Sequence, residues 1–270
     1  MTSPLAGAVD PVPDPRGFAL LHERAMPQKD QLCGAFWGAL ALAAAGYAVD
    51  QDEVALRAGT TLAEGDPARW LPPGASPRAD YGASLPVATD EAHSGTSAPG
   101  LARSIEELSE GSLAVVPAAG PWSASTVVSL IEVAAATPVC TLVANLRTGK
   151  LWGSRPPVRL LLDHLLGRQV EAPAPDWDCG HFVTIAACTS AAGGALVTLR
   201  DTYPQLGWGG YHQQPAEAVA AALERGDGSE GGVLCVCAAA AAEDLAARLE
   251  ETGFELRHWD NGSFDREGHR

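Results

Sequence analysis

Two apolar runs, His181 to Cys188 and Ala195 to Asp201, flank the segment Thr-Ser-Ala-Ala-Gly-Gly, and this pattern constrains the fold more than any other in the chain. Small residues and glycines between runs of strand formers predict an antiparallel hairpin. In such a hairpin the start of one strand lies beside the end of the next. His181, in Gly-His-Phe-Val, and Asp201, in Leu-Arg-Asp-Thr-Tyr-Pro, are therefore predicted neighbours despite their separation in the chain. A carboxylate beside an imidazole fixes its tautomer, which a general base requires.

A base of this kind serves a nucleophile, and Cys33 has the right setting. From Asp30 the chain runs Asp-Gln-Leu-Cys-Gly-Ala-Phe-Trp-Gly and on through alanine and leucine to Gly46, predicting a buried helix over about 34–45 with Cys33 at its N-terminal edge. Unpaired backbone N–H groups and the helix dipole favour a thiolate there. Gly34 is expected to admit a substrate backbone and keep its N–H open as an oxyanion donor. Gln28 is the expected side-chain donor of the oxyanion hole, ahead of Gln31, and Gly180 is assigned to substrate approach. Singly, these residues have plainer readings: a buried core cysteine, a satisfied sheet-edge histidine and a turn aspartate. Their order along the chain favours the chemical reading.

Around this trio the expected organisation is α+β in one domain over residues 17–259, between a flexible proline-rich segment (1–16) and a flexible polar tail (260–270). Asp50 to Ala58 reads as a short helix. Residues 59–102 are rich in Gly, Pro, Ser and Thr without periodicity, either a long functional loop or a partly disordered stretch. Helix is expected to resume at Ser104-Ile-Glu-Glu through a capping-box-like opening. Strands are expected at 112–117, 138–146 and 232–238, and helices at 123–136, 160–166, 215–224 and 242–251. The run Tyr203 to His212 mixes rings with glycines; it reads either as a cleft wall in which Trp208 stacks on substrate or as a turn packed on the sheet. His212 and His164 are assigned structural roles.

Composition narrows the function classes. A formal charge of −15, from 33 acidic against 18 basic side chains, disfavours nucleic acid and anionic membranes, which need a basic footprint. The N-terminus shows no secretory pattern, so the expectation is cytoplasmic. Six scattered cysteines are expected to be reduced, with Cys235 and Cys237 on one core-facing side of a strand. Cys179-x-His181 lacks further ligands at any zinc spacing, so neither metal nor cofactor is expected. Asp176 and Asp178 either attract a cationic substrate or are simply solvated.

Glutamine ahead of a Cys-Gly helix start, then Cys-Gly-His-Phe-Val-Thr-Ile, then Leu-Arg-Asp-Thr-Tyr-Pro, resembles the papain-like cysteine peptidases, most nearly the C39-like, bacteriocin-processing leader peptidases. The likeness covers residues 26–212 discontinuously. It implies a catalytic helix on an antiparallel sheet, a Cys33 nucleophile, a His181 base, an Asp201 orienter and a Gln28 oxyanion donor, acting on a peptide or protein substrate. Relatives of that fold also include acyl transferases and ligases, with ribosomal peptide maturation beside a biosynthetic partner protein as a setting, and inactive peptide-binding scaffolds. In this chain the glutamine stands one residue nearer the cysteine than in the family. Residues 59–110 are expected to be an insertion, and the strand and helix after Gly231 an added C-terminal unit.

Overall fold

The computed structural model describes residues 9–11, 17–90 and 93–264. In chain order the regular elements are β1 (Val9–Pro11), α1 (Phe18–Ala25), α2 (Cys33–Ala44), α3 (Gln51–Ala58), β2 (Leu62–Ala63), β3 (Val87–Ala88), α4 (Ala98–Leu108), β4 (Leu113–Ala118), α5 (Ala124–Ala135) and β5 (Cys140–Arg147). There follow α6 (Val158–Leu165), β6 (Gly180–Ala191), β7 (Gly194–Arg200), β8 (Tyr211–Pro215), α7 (Ala216–Glu224), β9 (Gly232–Ala238) and α8 (Ala242–Glu251). The principal sheet runs β4-β9-β5-β6-β7-β8, with β1 paired to the far half of β6. Every pairing in it is antiparallel. The fold is thus α+β, as expected.

Helices cover both faces of this sheet, which explains why β5 is buried along nearly its whole length. Leu142 and Ala144 point to the side packed by α5, α7 and α8, while Val143 and Phe182 point to the side packed by α1, α2 and α4. Strand β9 follows the same alternation. Cys235 and Cys237 face the first cluster, and Leu234 and Val236 the second. All six cysteines are free.

Several expectations are corrected. Strand β9 is not an added unit: it lies between β4 and β5 in the middle of the sheet. Chain order cannot reveal this, because antiparallel neighbours are chosen by long-range register. Gly232 serves that placement, since the Trp259 ring stands 2.4 Å from where its Cβ would be. At the N-terminus, residues 9–11 form β1; the other residues of that expected flexible segment lie outside the described residues, as do 265–270. Within the expected tail, Asn261 and Ser263 donate side-chain hydrogen bonds to Thr96 and Ser94 carbonyls, so 260–264 are tied down.

The expected insertion also changes character. Helix α4 starts at Ala98 under a Ser97 cap, with a proline in its first turn, and Ser104 sits mid-helix donating to the Leu101 carbonyl. Pro99 and Gly100 mimic a loop in sequence, yet a first helical turn tolerates proline. Gly100 is needed because a Cβ there would lie 2.2 Å from the Ala58 carbonyl oxygen, where α4 crosses α3. Gly100→Ala is expected to cost about 1–3 kcal/mol in urea denaturation, and an unchanged midpoint would refute this close approach. Upstream, Arg78 straps the segment before α2: its backbone N–H donates to both Asp30 carboxylate oxygens at 3.0 Å, and its guanidinium reaches the Ala25 and Pro27 carbonyls. The Tyr81 hydroxyl donates to the Asp30 carbonyl at 2.9 Å. Irregular backbone here is anchored by side chains in place of a ladder.

Candidate active site

Helix α2 begins at Cys33, and its N-cap, Leu32, supplies no side-chain acceptor. The first-turn N–H groups beside the sulfur are therefore left for another acceptor. One turn further on, Trp37 Nε1 donates to the Phe182 carbonyl at 2.9 Å, locking α2 against β6 next to His181. Gly34 assists this contact: a Cβ there would meet Thr96 at 3.1 Å and the Phe182 ring at 3.3 Å. Its smallness serves helix packing.

His181 is the second residue of β6, and Asp201 follows the last residue of β7, as the hairpin pattern predicts. Both are 1% exposed, with His181 Nε2 at 3.2 Å from Asp201 Oδ1. The Thr202 N–H also donates to Oδ1 at 2.7 Å, and the Tyr203 N–H at 3.3 Å. Cys33 and the His181 ring line one cavity, and Cys33 is among the groups that raise the His181 pKa. With Nε2 turned to Asp201, Nδ1 is the ring nitrogen left for another partner. The Trp177 ring packs edge-on against His181 at 5.0 Å, and Tyr203 stacks at 6.4 Å, sealing the pair from solvent.

Electrostatics follow from this enclosure. Burial alone would lower the His181 pKa, but the Asp201 charge and hydrogen bond, joined by Cys33, outweigh it and push it up to about 10. Burial likewise opposes ionisation of Asp201, yet the charge and hydrogen bond of His181 hold its carboxyl well below the usual range. Burial pushes the Cys179 thiol well above its ordinary value, so that cysteine remains protonated. His22 is lowered by burial, against the opposing hydrogen bond that its Nε2 makes with the Asp201 carbonyl at 2.7 Å.

These shifts set a stability optimum. An elevated His181 stabilises the fold fully below its unfolded value of about 6.5 and loses that contribution as pH rises toward about 10. A depressed His22 opposes folding once pH falls below about 6.5, and a depressed Asp201 adds a loss below about 4. Thermal melts across pH are therefore expected to peak near about pH 6.5; a plateau extending unchanged from pH 6 to 10 would contradict the buried imidazolium.

Cys33 and His181 share a cavity of about 630 Å³ with Gln28, Gly180, Trp177 and Tyr203. That size suits part of a peptide. A larger cavity, about 830 Å³, shares Asp90, Asn261 and Ser263 with it but touches none of Cys33, His181 and Asp201, so size does not mark the chemistry. Gln28 is 3% exposed and its Oε1 has no hydrogen-bond partner. Gln31, which lines the same cavity, accepts from the Ala63 N–H at 2.5 Å through its Oε1. Gly180 lets the Arg225 guanidinium come within 3.1 Å of the missing Cβ. Arg225 in turn pairs with Asp227 at 2.9 Å, and Arg147 with Asp178 at 2.5 Å, lining the cavity with matched charges.

Trp208 is corrected. It is 55% exposed on a glycine-rich reversal, its N–H donating to the Tyr211 carbonyl at 2.8 Å, and it is not among the residues lining the cavity. Trp177 and Tyr203 are the rings beside the histidine. Asp178 and Asp176 have protein partners, Arg147 and the Ser154 N–H at 2.7 Å. Two neighbours of Asp201 were not expected there: His22, in an unremarkable helix, and His212, assigned a structural role, whose Nε2 stands 3.7 Å from Asp201 Oδ2. Only the position of His212 opposite Leu199 on the strand beside β7 could have signalled it. Among the described residues no group of three or more His, Cys, Asp or Glu side chains is placed to hold a metal ion, and no helix is long and apolar enough to cross a membrane.

The fold and site thus define an α+β protein with a buried His–Asp pair whose histidine lines one cavity with a cysteine at a helix N-terminus. The chain belongs to the family of unknown function DUF6885, whose sequence profile matches residues 14–260. No curated protein and no solved structure matches it.

Proposed function

We propose that this protein is a papain-like thiol enzyme, a cysteine peptidase or amidase of C39-like type acting on a peptide. The observation that carries the reading is the convergence of three side chains: Cys33 at the uncapped start of α2, in one cavity with a His181 ring held 3.2 Å from Asp201. An imidazolium beside sulfur favours a thiolate nucleophile. The Cys33 sulfur attacks a substrate carbonyl, and first-turn N–H groups with the Gln28 amide stabilise the oxyanion. His181 then gives its proton to the departing amine as the C–N bond breaks, leaving a thioester. Water, deprotonated by His181, attacks the thioester and releases the acid, returning the thiol.

Mass spectrometry of the protein incubated with a mixture of activated peptide esters tests this directly. An acyl adduct on Cys33 that decays to free acid is expected; decay that instead adds the acyl group to a supplied amine identifies acyl transfer. No adduct on Cys33, with the fold intact, would leave a peptide-binding scaffold as the reading.

A further inference from the structure

We infer that His212 is a positioning residue that acts through Asp201, held by Gln214 in the one tautomer able to donate to the carboxylate; the inference rests on the thiol-enzyme reading above. The chain of contacts begins at the backbone of Trp152. Its N–H donates to Gln214 Oε1 at 2.7 Å, and its carbonyl accepts from Gln214 Nε2 at 2.9 Å. Because a backbone N–H can only donate and a carbonyl only accept, this pair fixes which end of the Gln214 amide is oxygen. The second Nε2 hydrogen is then directed at His212 Nδ1, 3.0 Å away. Nδ1 must accept, so the ring is neutral and its proton sits on Nε2.

That Nε2–H is buried, has no hydrogen-bond partner within ordinary distance, and faces Asp201 Oδ2 at 3.7 Å. The separation is too long for a formed hydrogen bond, so the interaction is a dipole aimed at a charge. It matters because Oδ1 is occupied by His181, Thr202 and Tyr203, whereas Oδ2 meets His212. Each carboxylate oxygen thus meets a different histidine, which opposes rotation of the group that orients the base. The titratable groups around His212 are Asp201 and, in the small cavity they share, Asp176, whose carboxylate accepts from the Ser154 N–H at 2.7 Å. His22, on α1, fixes the Asp201 backbone through its carbonyl. Strand β8 thus contributes to a site otherwise assembled from α2, β6 and β7.

The test measures the iodoacetamide reaction of Cys33 against pH, by peptide mapping, in the wild-type chain, His212→Leu and His212→Gln. In His212→Leu the acid-side rate is expected to fall about tenfold and the profile to move up by about one pH unit. In His212→Gln, whose amide can still donate to Oδ2, it is expected to stay within about threefold of wild type, a rescue that a purely space-filling role would not produce. Long-range proton–nitrogen NMR on the wild-type chain gives a second measurement that needs no variant: His212 should remain neutral and Nε2-protonated, and a ring protonated on Nδ1 would overturn the inference. So would a His212→Leu profile identical to wild type. An ordinary, alkaline-only profile for wild-type Cys33 would instead remove the thiol-enzyme reading, and this role with it.

Discussion

Iodoacetamide at pH 6 is expected to modify Cys33 selectively, and His181→Ala is expected to slow that reaction by about a hundredfold or more, a loss typical of removing a positioned acid–base group. Selectivity follows from the surroundings of the other thiols. Cys140, Cys188, Cys235 and Cys237 are buried in the core, and Cys179 is held protonated by burial. Cys33 alone combines partial exposure, a helix N-terminus and an ionised imidazole. Cys33→Ala should abolish both this labelling and acyl-adduct formation, because no neighbouring thiol has a comparable setting. Labelling spread evenly over several cysteines, or a His181→Ala protein that reacts as fast as wild type, would end the proposed chemistry.

The second large effect concerns stability. Asp201→Ala is expected to cost about 3–5 kcal/mol at pH 7, the range for removing one partner of a buried ion pair. The remaining groups cannot re-pair: His181 would lose the partner that keeps its buried ring protonated, and the Thr202 and Tyr203 N–H groups would lose their acceptor. Asp201→Asn separates charge from shape. Its amide oxygen can still accept from the backbone, so the loss should be smaller, but without the negative charge His181 should no longer be elevated. The fall in stability between about pH 6.5 and 10 should then largely vanish. Urea titrations at several pH values decide both points. A cost under about 1 kcal/mol for the alanine variant, or an unchanged alkaline limb for the asparagine variant, would show that the pair does not carry the charge argued here.

Local signals made much of this arrangement readable. Dense helix formers after Cys33 produced α2, and alternating apolar residues around Thr-Ser-Ala-Ala-Gly-Gly produced β6 and β7, although the strands run on to a tighter turn than expected. Antiparallel geometry then made His181 and Asp201 neighbours. Period-two burial also put Cys235 and Cys237 on one core face. What escaped had no local signature. Pro99 and Gly100 look like loop residues, and only the crossing of α3 and α4 explains the glycine. Trp208 stood in the right segment, but glycines at 207, 209 and 210, all with positive φ, turn the chain so that its ring faces solvent.

From the residues alone came the α+β class, the two elements bearing Cys33 and the His181–Asp201 pair, and the acidic surface, since helix propensity, strand alternation and charge are properties of short stretches. Tertiary structure alone decided that β9 divides β4 from β5, that Arg78 straps the approach to α2, and that His22 and His212 converge on Asp201. These depend on contacts between segments far apart in the chain, where register and close packing choose among partners that no short stretch of residues distinguishes.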